Sequence, residues 1–99
     1  MSNQIIITLA ESAVQDLETI QEYYQEQEVP EIGVRFVKEI ISSVEELAKH
    51  PDRGRMVPEF NSPQLRELVH PPFRVVYRRS KEKISVVRVW RSERLMRLP

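Results

Sequence analysis

The sequence predicts an α+β fold of order β-α-α-β-β-β, a helix hairpin packed on one face of a small antiparallel sheet. Three observations carry this reading. A short β-branched run opens the chain, two stretches of helical periodicity follow, and three strand-like runs close it. Helices grouped ahead of strands point to segregated layers rather than to alternating parallel units. The 99 residues make a single domain, 1–99, with one modest core. Length alone excludes a doubly wound nucleotide fold or a TIM barrel.

The opening strand is Ile5-Ile6-Ile7-Thr8-Leu9, and it is expected to join the sheet, because a loose strand would strand its backbone groups. Thr8 and Glu11 have capping-box spacing, with Ser12 a second possible cap, so a helix should follow. Ala13, Leu17, Ile20 and Tyr24 form its apolar stripe, and Glu18, Glu22 and Glu26 line a solvated face. The helix should fade near Gln27, since Pro30 disfavours helical geometry at Val29. A second helix is expected from Glu31 to just before Pro51. Gly33, Val37, Ile40, Val44 and Leu47 form its stripe, and Lys49 and His50 sit in its last turn.

Residues 51–63 carry turn chemistry and read as a loop. Three strands follow: Leu65–Val69, Phe73–Arg78 and Ile84–Trp90, joined at His70-Pro71-Pro72 and at the polar Ser80–Lys83 loop. On the middle strand Phe73, Val75 and Tyr77 share one face, and Arg74, Val76 and Arg78 the other. The aromatic face is expected to bury against Leu17, Ile20, Val37, Ile40 and Val44, and the arginine face to meet solvent. On the last strand both alternating sets are partly apolar, so its inward face stays ambiguous.

Composition narrows the chemistry. Hydrophobic residues are 40% and charged residues 30% of the chain, which suits a folded domain with a polar surface. No cysteine is present, so disulfides and thiolate zinc sites are excluded, and two histidines are too few for a histidine metal cluster. We therefore expect no metal and no cofactor. With two glycines, no phosphate-cradling P-loop can be built. His70, beside two prolines, and His50, at a helix end, are better explained as structural residues than as catalysts. No membrane span or export signal is legible, and a cytoplasmic location is expected.

Zero net charge hides a division. Residues 1–50 carry ten acids and three bases, and residues 51–99 five acids and twelve bases, ten of them arginine. Such asymmetry points to an interaction surface for nucleic acid or an acidic protein, or to two halves that neutralise each other across the fold. An arginine fork clamps phosphate bidentately and stabilises charge that develops on it, but it is a poor proton carrier near neutral pH. We expect Arg74 and Arg94, with Arg66 and Arg91 around them, to form a phosphate-binding patch on the open side of the sheet. Arg74, Arg94 and Arg91 are the catalytic candidates, and Arg66, Arg78 and Arg88 the RNA- or phosphate-binding ones. Tyr77 shares a face with Phe73 and Val75 and reads as core rather than as a proton donor.

The order and spacing of several segments resemble the RelE/ParE toxins of bacterial type II toxin–antitoxin modules, also called plasmid stabilisation proteins. The segments are Asp16-Leu17, Ile20 and Tyr23 or Tyr24; Phe36, Ile40, Leu47 and Pro51; Gly54-Arg55 and Pro58-Glu59; Leu65-Arg66-Glu67-Leu68; Phe73-Arg74-Val75-Val76-Tyr77; and Val89-Trp90-Arg91-Ser92-Glu93-Arg94. The resemblance spans nearly the whole chain. It implies a helix hairpin on an antiparallel sheet and a growth-inhibiting toxin neutralised by a cognate antitoxin. RelE-like members cleave mRNA on the ribosome without a metal, and Arg74 matches the arginine they use at the scissile phosphate. ParE-like members inhibit DNA gyrase and lack the cutting residues; the segment from Leu65 to Pro71 and the acidic hairpin are ParE-like. Arg91 stands where many members have histidine, so it could orient or stabilise but not shuttle a proton. Ribosome-dependent mRNA cleavage, with ribosome and mRNA as partners, is the first expectation, and gyrase inhibition the alternative. The antitoxin is expected to be acidic and partly disordered and to shield Arg74 or Arg94. Leu95, Met96 and Leu98 are expected to pack on the core, or else to meet that partner.

Overall fold

A computed structural model of the chain describes residues 5–92. The elements are β1 (Ile6–Leu9), α1 (Glu11–Glu26), α2 (Pro30–Glu45) with a 3-10 turn over Glu46–Ala48, β2 (Arg55–Met56), β3 (Leu65–His70), β4 (Phe73–Arg79) and β5 (Lys83–Arg91). The strands form one sheet of order β1-β5-β4-β3-β2. The α+β class and element order are as expected. Two details differ. The sheet is mixed, because β1 runs parallel to its neighbour β5 while all other pairs are antiparallel. The 51–63 loop also donates the two-residue strand β2, which pairs with β3 at the far edge. So short a strand carries no period-2 signal, and pairing with Glu67 and Arg66 alone defines it.

The helix boundaries follow local chemistry. Pro30 occupies the first turn of α2, where its missing N–H costs nothing. Lys49 and His50 lie beyond the 3-10 turn rather than in a last α-helical turn. The expected capping box on α1 is not made: Ala10 is the N-cap, without a side-chain bond. Ser12 instead donates its hydroxyl to the Val87 carbonyl, 2.7 Å away.

The hairpin packs closely because Gly33 lies against α1. A Cβ there would come within 3.1 Å of the Tyr24 Cβ and 3.2 Å of the Gln21 Cα. One core unites Ala13, Leu17 and Ile20 of α1, Ile40 and Val44 of α2, Leu47, and Phe73, Val75, Tyr77, Ile84, Val86 and Val89 of the sheet, with Val37 packed on its rim. The aromatic face of β4 is therefore inward, as expected. Phe36 meets Phe73 edge to face at 5.2 Å, which joins α2 to the sheet.

A bulge resolves the ambiguity of β5. Val76 pairs with Arg88, but Tyr77 pairs with Val86, so Val87 is an extra residue. Ile84 and Val86 face the helices on one side of it, and Val89 does so on the other. Beyond Leu9, β1 no longer covers β5, and α1 side chains take over that edge. The Asp16 carboxylate accepts the Val89 N–H at 2.8 Å and both Nε and Nη2 of Arg88, at 2.7 and 3.1 Å.

Candidate functional site

The expected arginine patch is not one patch. Residues paired directly across an antiparallel ladder share a face. Arg66 pairs with Tyr77 and Arg91 with Phe73, so both lie on the helix side of the sheet. Arg74 pairs with Val69 and Trp90, so it lies on the opposite, open side with Arg88 and Arg78. Arg94 lies outside the described residues, as do Leu95, Met96 and Leu98.

Each arginine has its own surroundings. Arg66 donates from Nη1 to the Gly54 carbonyl at 3.0 Å, and its buried Nε, 3.9 Å from Asp52, makes no hydrogen bond. The Arg91 guanidinium sits 5.7 Å from the Phe73 ring centre and 5.8 Å from that of Tyr23. Arg88 is tied to Asp16 and lies over the Trp90 ring at 4.9 Å. Arg78 is exposed. Tyr77 is fully buried; its hydroxyl accepts the Gly54 N–H and donates to the Pro51 carbonyl, both at 3.0 Å. Burial pushes the pKa of this phenol up, and it is a structural strut rather than a proton donor.

The arginine face of β4 does not meet solvent as a whole. Arg74 and Val76 are buried, and only Arg78 of that face is exposed. The turn after β2 explains this. Val57, itself buried, donates its N–H to the Leu65 carbonyl, which brings Glu59 over β4. Glu59 then takes both ends of the Arg74 fork, Nη1 to Oε2 at 3.0 Å and Nη2 to Oε1 at 2.9 Å. Glu67, diagonal to Arg74 on β3 and fully buried, accepts Arg74 Nε on Oε1, while its Oε2 accepts Arg55 Nε at 2.6 Å. The bond to Arg74 holds the Glu59 carboxyl below its ordinary pKa, and the bond to Glu59 raises that of Arg74. The result is an alternating chain, Arg55–Glu67–Arg74–Glu59, with no net charge when all four groups are ionised.

Sequence reasoning singled out Arg74 but gave no role to Glu59, Glu67 or Arg55. Glu67 had one available signal, a carboxylate two positions from the residue facing Arg74 across the ladder. Glu59 had none, because a loop residue's position over the sheet is a tertiary fact. Among the described residues no group of three or more His, Asp or Glu side chains converges as a metal site requires. Among them, too, no helix is long and apolar enough to cross a membrane.

The family model described as the ParE toxin of the type II toxin–antitoxin system, parDE, matches residues 7–96. The chain belongs to the ParE toxin family. The ParE fold is matched in a structure of the chromosomal ParDE toxin–antitoxin system of P. aeruginosa, with TM-score 0.76, 25% identity, and coverage of 91% of this chain and 98% of that one. Two more distant structures share the fold. The RelBE2 toxin–antitoxin complex of Mycobacterium tuberculosis gives TM-score 0.63 at 17% identity, covering 93% and 97% of the two chains. The E. coli DinJ-YafQ toxin–antitoxin complex gives 0.61 at 12%, covering 95% and 99%. No curated protein sequence matches this ParE-family chain closely enough to count as a relative.

Proposed function

We propose that this ParE-family toxin arrests growth by binding a protein target, DNA gyrase, and that it does not cleave mRNA. This reverses the order of the two sequence-based expectations. The observation that carries it is the state of Arg74, whose guanidinium is taken up by two carboxylates of the chain itself. A scissile phosphate would have to compete with both. Of the other described candidates, Arg66 and Arg91 lie on the other face and Arg88 is held by Asp16, and no arginine supplies the proton transfer that cleavage needs. The ParE family match and the likeness to the P. aeruginosa structure support the same side. The three structures described above are of toxin–antitoxin systems, which supports a cognate antitoxin as the physiological partner. Antitoxin and gyrase would both be met in the cytoplasm.

The test sets two assays side by side, gyrase supercoiling with purified toxin and primer extension on a translated message. Inhibited supercoiling with an uncut message is expected. Cuts at A-site codons that disappear in Arg74→Lys, with supercoiling untouched, would overturn the proposal.

A further inference from the structure

We propose that β1 is a self-association edge, through which two copies of this chain pair antiparallel over residues 5–9, Ile7 opposite Ile7, and join their sheets into one. The inference goes beyond the assignment of a target and does not depend on it. β1 closes one side of the sheet and, among the described residues, has a neighbour only in β5. The Ile6 N–H donates to the Glu82 carbonyl at 3.0 Å, and the Ala10 N–H to the Val86 carbonyl at 2.8 Å. Strand alternation turns the backbone groups of Thr8 the same way. It directs those of Ile7 and Leu9 outward, with Ile5 in line with them. A row of donors and acceptors of this kind is matched by an extended strand.

The residues of this edge select a second copy as the occupant. Sheet edges are usually guarded by charge, proline or brevity. β2, at the opposite edge, has all three, being two residues long, starting at Arg55 and running on to Pro58. Residues 5–10 have neither charge nor proline, and Ile6 is 61% exposed and Leu9 38%. A two-fold sets the strand against itself, so a charge within it would be repeated close by; this strand has none to repel. With Ile7 opposite Ile7, Ile5 faces Leu9 on the helix side and Ile6 faces Thr8 on the open side, all uncharged pairs. The charges at its two ends are complementary. Lys81, Glu82 and Lys83, exposed and together carrying one positive charge, lie beside the start of β1, where Lys83 aligns with Ile6. The exposed Glu11 follows its end. Antiparallel pairing lays the basic end of each copy beside the acidic end of the other. The two-fold axis runs perpendicular to the sheet, so both helix hairpins lie on one side and both open faces on the other. The contact is short against the roughly 1,200–2,000 Å² of stable interfaces, so the dimer is reversible and concentration-dependent.

The experiment is sedimentation equilibrium of the purified full-length chain over a concentration series, with circular dichroism establishing that each variant folds. Wild type should pass from monomer to dimer as concentration rises. Thr8→Lys changes an exposed position that meets Ile6 of the second copy, and it should weaken the dimer at least tenfold while leaving the fold intact. Cross-linking tests the register, since the chain has no cysteine of its own. Ile6 and Thr8 of the second copy form a non-hydrogen-bonded pair, with Cα atoms about 4.5 Å apart, within reach of a disulfide. Ile6→Cys combined with Thr8→Cys should give a covalent dimer on mild oxidation, far more readily than either substitution alone. Should Thr8→Lys not fold, the cysteine pair decides. A wild type that stays monomeric at every concentration overturns the proposal and leaves the edge to a strand of another protein. So does a dimer that Thr8→Lys does not weaken, or one that the cysteine pair does not link, because either places the contact elsewhere.

Discussion

The Gly54 N–H donates to the Tyr77 hydroxyl at 3.0 Å, and a Cβ on Gly54 would lie 2.6 Å from that same oxygen and 2.7 Å from the Glu67 carbonyl. Space, not backbone conformation, demands glycine here. Gly54→Ala should destabilise the protein by about 1–3 kcal/mol, the usual cost of overpacking a rigid site. Tyr77→Phe should cost a similar ~1–3 kcal/mol by leaving the Gly54 N–H and Pro51 carbonyl unpaired. Urea unfolding midpoints check both, and a Gly54→Ala midpoint equal to wild type would mean that the 51–54 segment is free to shift.

Arg74→Ala tests the cluster as architecture. An exposed arginine could be lost with little effect, but this one is buried against Glu59 and Glu67. Its removal leaves Glu67 buried with Arg55 alone. A loss of roughly 3 kcal/mol is expected, the lower end of the range for breaking a buried pair, since one partner remains. Chemical denaturation measures it. A loss under about 0.5 kcal/mol, the size of an ordinary surface substitution, would contradict the burial described.

Asp16 finishes the edge of β5 where β1 ends, accepting the Val89 N–H and the Arg88 guanidinium. Asp16→Ala should cost about 1–3 kcal/mol through the unpaired N–H. Asp16→Asn keeps an acceptor for Val89 and should recover part of that loss. Amide hydrogen exchange gives a local readout: the Val89 amide should exchange faster in Asp16→Ala than in Asp16→Asn.

The lowered pKa of Glu59 sets the sign of a pH effect. Its contribution to stability is present above the unfolded value of about 4.3 and is lost as pH falls through the lower folded value. The stability gap between wild type and Glu59→Gln should therefore be full near neutral pH and shrink in acid, below the ordinary carboxylate range. Thermal unfolding at a series of pH values checks this. A gap that grows on acidification would show that Glu59 is not bound as a carboxylate.

What was legible in the sequence follows the physics of each signal. The helix stripes through Leu17, Ile20, Ile40 and Val44, and the alternation of Phe73, Val75 and Tyr77, report burial on one face, and periodicity reads them directly. The inward set of β5 was illegible because Val87 shifts the parity midway, and no local residue preference announces that bulge. The arginine face was misjudged for a related reason. Alternation shows which residues share a face, not what covers it, and the cover here comes from Val57 and Glu59 in a loop. Arg66 and Arg91 were grouped with Arg74 although odd spacing along β4, carried through the ladder, puts them on opposite faces.

The parallel pairing of β1 with β5 has a consequence for synthesis. Among the described residues the first strand in sequence is completed by the last, since Ile6 to Leu9 align with Lys83 to Val86. Until β5 has been made, β1 lacks this neighbour, and the Ala10 N–H lacks the Val86 carbonyl that accepts it. Pairing over so long a separation is the slow, entropically costly step of such a topology. A chain truncated before Lys83 therefore lacks the only strand that pairs with β1 among the described residues, and the edge from Ile6 to Leu9 is left without its ladder.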